Sequence, residues 1–242
     1  MHAYDRFSMT SKLHSILKNL SSSLGEIRFD VVDVLETVRS IFRSMQSFVS
    51  STPDFQVLGV KEQQSLLQRN LHGISGLSSL VFYRDTDFFD NAKCYQSYRT
   101  VYESTTLNSI MHCMSQLDLD STPLKLVLLI FAFSSNCHVV DMHKNARYDT
   151  FLLGTFRLFG SQNVYVELLW KYMIYRYGHY ETVIRFSRLV KHGLDSIQLA
   201  ASIYMSNDIH HKLTDEITQM AKEALIINQN EVVPLWGKTL SS

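Results

Sequence analysis

Pro53-Asp54-Phe55, Leu58, Glu62-Gln63 and Leu66-Leu67 follow one another in a short span, and their order decides how the rest of the chain is read. Immediately upstream, Val31, Val34, Leu35, Val38, Ile41, Phe42, Met45 and Phe48 recur at helical spacing. That spacing predicts a long helix with one apolar face. Asp30 stands where an N-cap belongs. Pro53 has no backbone N–H and its ring crowds the preceding turn, so the helix must end near Ser50. The order is therefore long apolar-faced helix, proline break, aromatic anchor, acidic-Gln pair and double leucine.

The bulk properties are compatible with such a helical domain. With 242 residues the chain suits one large domain or two small ones and can bury a full core. Its 45% hydrophobic and 19% charged content describes a folded chain rather than a disordered one. Basic and acidic side chains balance at 23 each, so there is no basic excess to point to nucleic-acid contact. Cys94, Cys113 and Cys137 are odd in number and widely spaced, which argues for free thiols in a reducing compartment. Without a CxxC pair the chain carries no DNA-binding zinc module. The longest apolar run, Leu126 to Phe133, falls short of the roughly 20 residues a bilayer-crossing helix needs. No signal-peptide core stands at the N-terminus.

Three prolines and nine glycines over this length leave few places to break an element, and the periodicity is helical nearly throughout. Expected helices cover Ser8 to Leu20, Lys61 to about Val81, Tyr98 to Leu117, and Ser121 to about Ser134. Further ones cover Ala146 to Tyr177 (with an interruption near Gly160), His179 to about Ser206, and Thr214 to Ile227. Gly178 is placed to cap a helix C-terminus. The aromatic stretch Val81–Phe89 around a polar turn is the one candidate β-hairpin. Gly73, Ser75, Gly76, Ser78 and Ser79 crowd the middle of one apolar helix. Small residues there either admit a second backbone or leave space. With no repeat, linker or composition shift, the expectation is one all-α domain over residues 1–242. Residues 1–28 would form an N-terminal helix and loop, and residues 29–240 the core.

Residues with catalytic or metal-binding chemistry do not converge. His138, Asp141 and His143 bracket a loop but lack a fourth ligand. His210 and His211 are neighbours on a helix and point in different directions, and so are His112 and Cys113. GxSxG, HExxH, P-loop and GxGxxG motifs are all missing. The aromatic run Trp170, Tyr172, Tyr175, Tyr177 and Tyr180 has only Lys171 and Arg176 among it, which fits core and interface better than a base-stacking platform.

The span Phe48 to Leu67 resembles the signature of nuclear receptor ligand-binding domains, with Glu62-Gln63 where the family has Asp-Gln. Leu117-Asp118-Leu119-Asp120 is similar to the family's approach to its eighth helix. Tyr175-Arg176-Tyr177-Gly178, Arg185-Phe186 and Leu189-Val190 are similar to the end of its ninth helix and the start of its tenth. The likeness extends from about Phe29 to Leu240 and is greatest to divergent, nematode-type members. It implies a three-layer antiparallel helical sandwich with a small β-hairpin, a nuclear location and a regulatory, non-enzymatic role. It also implies an apolar small-molecule or fatty-acid-like ligand, with no other cofactor, under Val34, Thr37, Val38, Ile41 and Phe42. The opposite walls would come from Leu71, Ser75, Ser79, Phe82 and Ile203. Coregulator helices would dock on Val49, Ser50, Val60, Gln63, Leu67 and Gln68, with Leu235 and Lys238 from the closing segment. The family's tenth helix would supply a homo- or heterodimer face through Ile184, Val190 and Ile197; neither nucleic acid nor membrane is an expected partner.

Three positions depart from the family pattern. Phe82 stands where many lipid-binding members hold a carboxylate with arginine, and Arg84 lies two residues on; burying an unpaired carboxylate beside Phe82 would cost several kcal/mol. The expectation is therefore a neutral apolar ligand, or none, unless Arg84 turns inward. Ser50 replaces the usual lysine of the peptide clamp, and Lys238 replaces its glutamate, reversing the favourable interaction with the helix dipole. Leu235, Trp236 and Leu240 could instead fill the groove from within the chain. The alternatives are a helical scaffold or adaptor domain without a small ligand and, more remotely, an enzyme of unfamiliar helical fold.

Overall fold

The computed structural model describes residues 29–117, 120–134 and 155–230. Among them the secondary structure is helical throughout, with no strand. The elements are α1 (Val31–Ser50), α2 (Pro53–Gln56), α3 (Val60–Asp85), a 3-10 turn (Phe88–Asp90), α4 (Ala92–Val101), α5 (Ser104–Ser115), α6 (Ser121–Ala132), α7 (Thr155–Tyr177), α8 (His179–Ser206) and α9 (Asp208–Asn230).

The opening stretch folds as a unit. Asp30 Oδ1 accepts from the amides of Val32 and Asp33, and Asp33 Oδ2 accepts from the Asp30 amide at 2.8 Å. These bonds form a reciprocal capping box that satisfies N–H groups left over at the start of α1. At the other end Thr52 donates to the Val49 carbonyl at 2.7 Å and accepts from the Phe55 amide. Pro53 occupies the first turn of α2, where its missing N–H costs nothing. The Glu62 carboxylate accepts from the Gly59 amide at 2.8 Å and caps α3, while Gln63 Nε2 donates to the Phe55 carbonyl at 2.9 Å and ties α2 to α3. Phe55, Leu58, Leu66 and Leu67 are all buried. Asp54 reaches further, accepting from the hydroxyls of Ser161 and Tyr165 on α7, both at 2.7 Å.

Helix α3 is the axis of the domain. It packs against α1, α5, α6, α8 and α9, and every residue from Asn70 to Ser75 is buried. Burial on all sides identifies an internal helix. Its small residues bring α8 close: a Cβ on Gly76 would lie 2.6 Å from Ala200 Cβ. Asn70 Nδ2 donates to the carbonyls of Ala132 and Ser134, both at 2.8 Å, and so satisfies the C-terminal end of α6. At the N-terminal end of α6, Asp120 accepts from the Thr122 amide and from the hydroxyls of Tyr172 and Tyr177 on α7. Burial opposes the Asp120 charge, but these donors and Arg176 outweigh it and hold the carboxyl below its usual range.

Several expected boundaries change. Val81–Phe89 is not a hairpin: α3 runs on to Asp85, and Asp87 turns the chain at φ 47° into the 3-10 turn. The aromatics that imitate strand alternation instead pack in three dimensions, Tyr83 and Phe88 both meeting Tyr98 of α4. The single helix expected over Tyr98–Leu117 is broken at Tyr102 and Glu103. There Asn207, between α8 and α9, donates to the Val101 carbonyl at 2.7 Å and takes over an acceptor at the end of α4. Gly160 interrupts nothing, since α7 runs straight through it. Gly178, at φ 76°, makes the turn from α7 to α8 as its position suggests. The N-terminal helix at 8–20, the loop at 136–145 and the closing segment beyond Asn230 lie outside the described residues.

Candidate functional site

A cavity of about 50 Å³, partly open to the surface, lies beneath the middle of α1. Six helices converge on it. Val38 and Phe42 come from α1, His72, Gly76, Ser79, Leu80 and Tyr83 from α3, and Tyr98 from α4. Tyr102 lies just after α4, Ile110 on α5, Ser196, Leu199, Ala200 and Ile203 on α8, and His210 on α9. Apolar walls from Val38, Phe42, Leu80 and Ile203 face a band of imidazoles and phenols.

The polar band is built by neighbouring elements. Asn207 Oδ1 accepts from the His210 amide at 2.9 Å while its amide group holds the end of α4. One side chain thereby aligns Tyr102 and His210, whose hydroxyl and Nδ1 meet at 2.9 Å. The hydroxyls of Tyr83 and Tyr98 share a second bond of 2.9 Å, and Tyr98 stacks on Tyr102 with centroids 5.6 Å apart. His72 lies edge-on to Phe42, Tyr204 and His210 at centroid distances of 5.8, 5.0 and 5.6 Å. It is only 7% exposed, yet neither of its ring nitrogens meets a hydrogen-bonding partner in the protein.

All of these groups are neutral at pH 7. Burial, then the nearby His210 and His211, push His72 down to about 3. Burial and His211 push His210 down to about 4. Burial raises Tyr83 to about 12 and holds Tyr98 and Tyr102 well above the ordinary phenol value. No lysine, arginine, aspartate or glutamate lines the cavity.

Four residues expected to line a pocket do so: Val38, Phe42, Ser79 and Ile203. Val34, Ile41 and Leu71 are buried core outside the lining. Thr37 turns its hydroxyl back to the Asp33 carbonyl at 2.7 Å. Ser75 is fully buried, with a hydroxyl that has no protein partner. Phe82 packs on Tyr83 and Phe88, and Arg84 pairs with Asp85 at 2.6 Å; neither residue lines the cavity. Sequence reasoning missed His72, Tyr83, Tyr98, Tyr102 and His210. The available signal was a histidine set among apolar and small residues, Leu71-His72-Gly73-Ile74. His210 and His211 do diverge: His210 turns into the cavity, while His211 lies over Tyr204 and 3.3 Å from Asp215.

The expected docking residues are scattered in exposure. Val49 and Leu67 are each 1% exposed and belong to the core. Ser50, Val60 and Gln63 are half-buried, and Gln68 is exposed and accepts from Lys222 of α9 at 3.1 Å. Leu235 and Lys238 lie outside the described residues, as do Cys137, His138, Asp141 and His143. Ile184, Val190 and Ile197 are half-buried on α8. Burial raises the Cys94 thiol to about 11 and moves Cys113 upward as well, so neither is an activated nucleophile. Among the described residues no group of three side chains could hold a metal, and no helix is long and apolar enough to cross a membrane.

No protein-family model matches the chain, and no curated protein matches it in sequence.

Proposed function

We propose that this chain is the regulatory ligand-binding domain of a divergent nuclear receptor, with its helices in the family's three-layer antiparallel arrangement. In this reading it acts by binding, not by catalysis. The cavity beneath α1 carries the argument. Val38 and Phe42 meet Ser79 and Ile203 there, at the place where the likeness of the Phe48–Leu67 stretch puts a ligand. The neutral lining favours an uncharged ligand, because a buried ion would find no counter-charge. Coregulator docking, pairing through α8 and a nuclear location belong to the same proposal.

The volume limits the form this function takes. Pockets for drug-sized ligands usually enclose about 300–1,000 Å³, against about 50 Å³ here. A lipid would have to spread the helices apart, so the resting domain is largely filled by its own side chains. That same observation favours the second reading, an adaptor domain that binds partner helices and no small molecule.

Thermal shift and native mass spectrometry with neutral lipids separate the two. Stoichiometric binding with a raised melting temperature supports a receptor; no adduct and no shift with any lipid supports the adaptor. Docking is tested with a Leu-rich amphipathic peptide. Val60→Arg on α3 should abolish its binding while leaving the melting temperature unchanged, and undiminished binding would remove this face from consideration.

A further inference from the structure

We propose that the cavity is a binding site for a short uncharged alcohol, with His72 hydrogen-bonding the hydroxyl group; this rests on the ligand-binding reading of the same cavity. His72 carries the argument. Its imidazole is more than nine-tenths buried, it lines the cavity, and both of its nitrogens lack protein partners. A buried polar group without a partner is costly, so such groups are nearly always satisfied by something.

The chemistry of that something is constrained. A neutral imidazole offers one donor and one acceptor. A hydroxyl oxygen both accepts and donates, so it can pair with either nitrogen in either tautomer. A carboxylate or an ammonium group would enter a lining that has no charged side chain to offset it. Tyr102 and His210 already bond each other, as do Tyr83 and Tyr98, which leaves His72 as the unsatisfied group of the band.

Size is the second constraint. A cavity of about 50 Å³ is well below the roughly 300–1,000 Å³ of pockets for drug-sized ligands, so only a small molecule fits it as it stands. One hydroxyl on a chain of about two to four carbons belongs to that size class. Val38, Phe42, Leu80 and Ile203 supply an apolar wall for the alkyl part.

The test titrates the intact protein with 1-butanol and, separately, with 1-chlorobutane, which is similar in size and lacks the hydroxyl. Binding is read by thermal shift and by the ¹⁵N resonances of the histidine rings. 1-Butanol should bind about tenfold more tightly, as expected when a buried partner is otherwise left unsatisfied, and should move the His72 ring nitrogens. His72→Phe should bring the two affinities together. Three results would each overturn the proposal. Equal affinity in the wild type would leave an apolar pocket with no role for His72, and the ligand-binding reading would stand. Retained alcohol preference in His72→Phe would assign recognition to another group. Binding of neither compound would mean that water alone satisfies His72; if neutral lipids also fail to bind, the ligand-binding reading falls with it.

Discussion

His72 is the residue where local packing and function conflict. Three aromatic rings enclose it edge-on, yet its two nitrogens gain nothing from the protein. Replacing a buried unsatisfied polar group by an apolar one of similar shape is usually neutral or stabilising. His72→Phe is therefore expected to leave the urea midpoint unchanged or to raise unfolding stability by about 1 kcal/mol; a clear loss would show that the imidazole has a structural partner. The two histidines also set an acid dependence. Their folded values, about 3 for His72 and about 4 for His210, lie below the unfolded value of 6.5. The unfolded chain thus binds protons first as pH falls. Stability is fully present above 6.5 and declines from there toward pH 4, by up to about 1.4 kcal/mol per pH unit for each histidine. Urea midpoints measured from pH 7.5 to 4.5 should show this fall, and His72→Phe should reduce its slope. The Asp120 carboxyl, held below its usual range, adds its own loss only at lower pH.

At the scale of elements, the crossing of α3 over α8 depends on atoms that are missing. A methyl group at Gly76 would meet the Ala200 Cβ at 2.6 Å, so the two backbones could not stay as close as they are. Gly76→Ala should cost about 1–3 kcal/mol of stability through overpacking. Ala200→Gly should carry its own helix penalty of about 1 kcal/mol. Because the two residues touch, the double variant should be less destabilised than the sum of the single variants. Additive effects in a urea-melt cycle would contradict this contact. The Gly/Ser cluster in α3 raised two possibilities, close approach or open space, and both occur within one turn. Gly76 takes the backbone of α8, while Gly76 and Ser79 also border the cavity. The break after α4 shows the converse: nothing between Tyr98 and Leu117 forbids a continuous helix. At the interruption the Val101 carbonyl is taken up by Asn207, more than a hundred positions away.

For the whole molecule, the all-round burial of α3 makes it the last element to open. Its amides between Leu66 and Leu80 should exchange with the free energy of global unfolding. Those of α7, whose Phe159, Val164, Leu168 and Tyr175 face outward, should exchange sooner. Slower exchange in α7 than in α3 would displace α3 from the centre of the fold. Much of this architecture was legible in the residues alone. Helical periodicity, the Asp30 cap, the stop at Pro53 and the turn at Gly178 all follow from backbone chemistry within a few neighbours. For that reason they survive as expected in the folded chain. Val38 and Phe42 border the cavity because the apolar stripe of α1 is wide enough to face both core and hollow. The polar band was not legible. His72 and Tyr83 lie on α3, Tyr98 and Tyr102 at the end of α4 and His210 on α9; what joins the three elements is tertiary, and a phenol or imidazole reads locally as ordinary core. The hairpin failed for a similar reason, since alternating aromatics satisfy a helix end and a 3-10 turn as well as a strand. The start and stop of α1 and the turn after α7 were readable from the residues, because caps, prolines and helical period act over one or two turns. Which faces meet, how little room they leave and which buried nitrogens go unpaired were set by the folded chain, because those depend on contacts between residues far apart in the sequence.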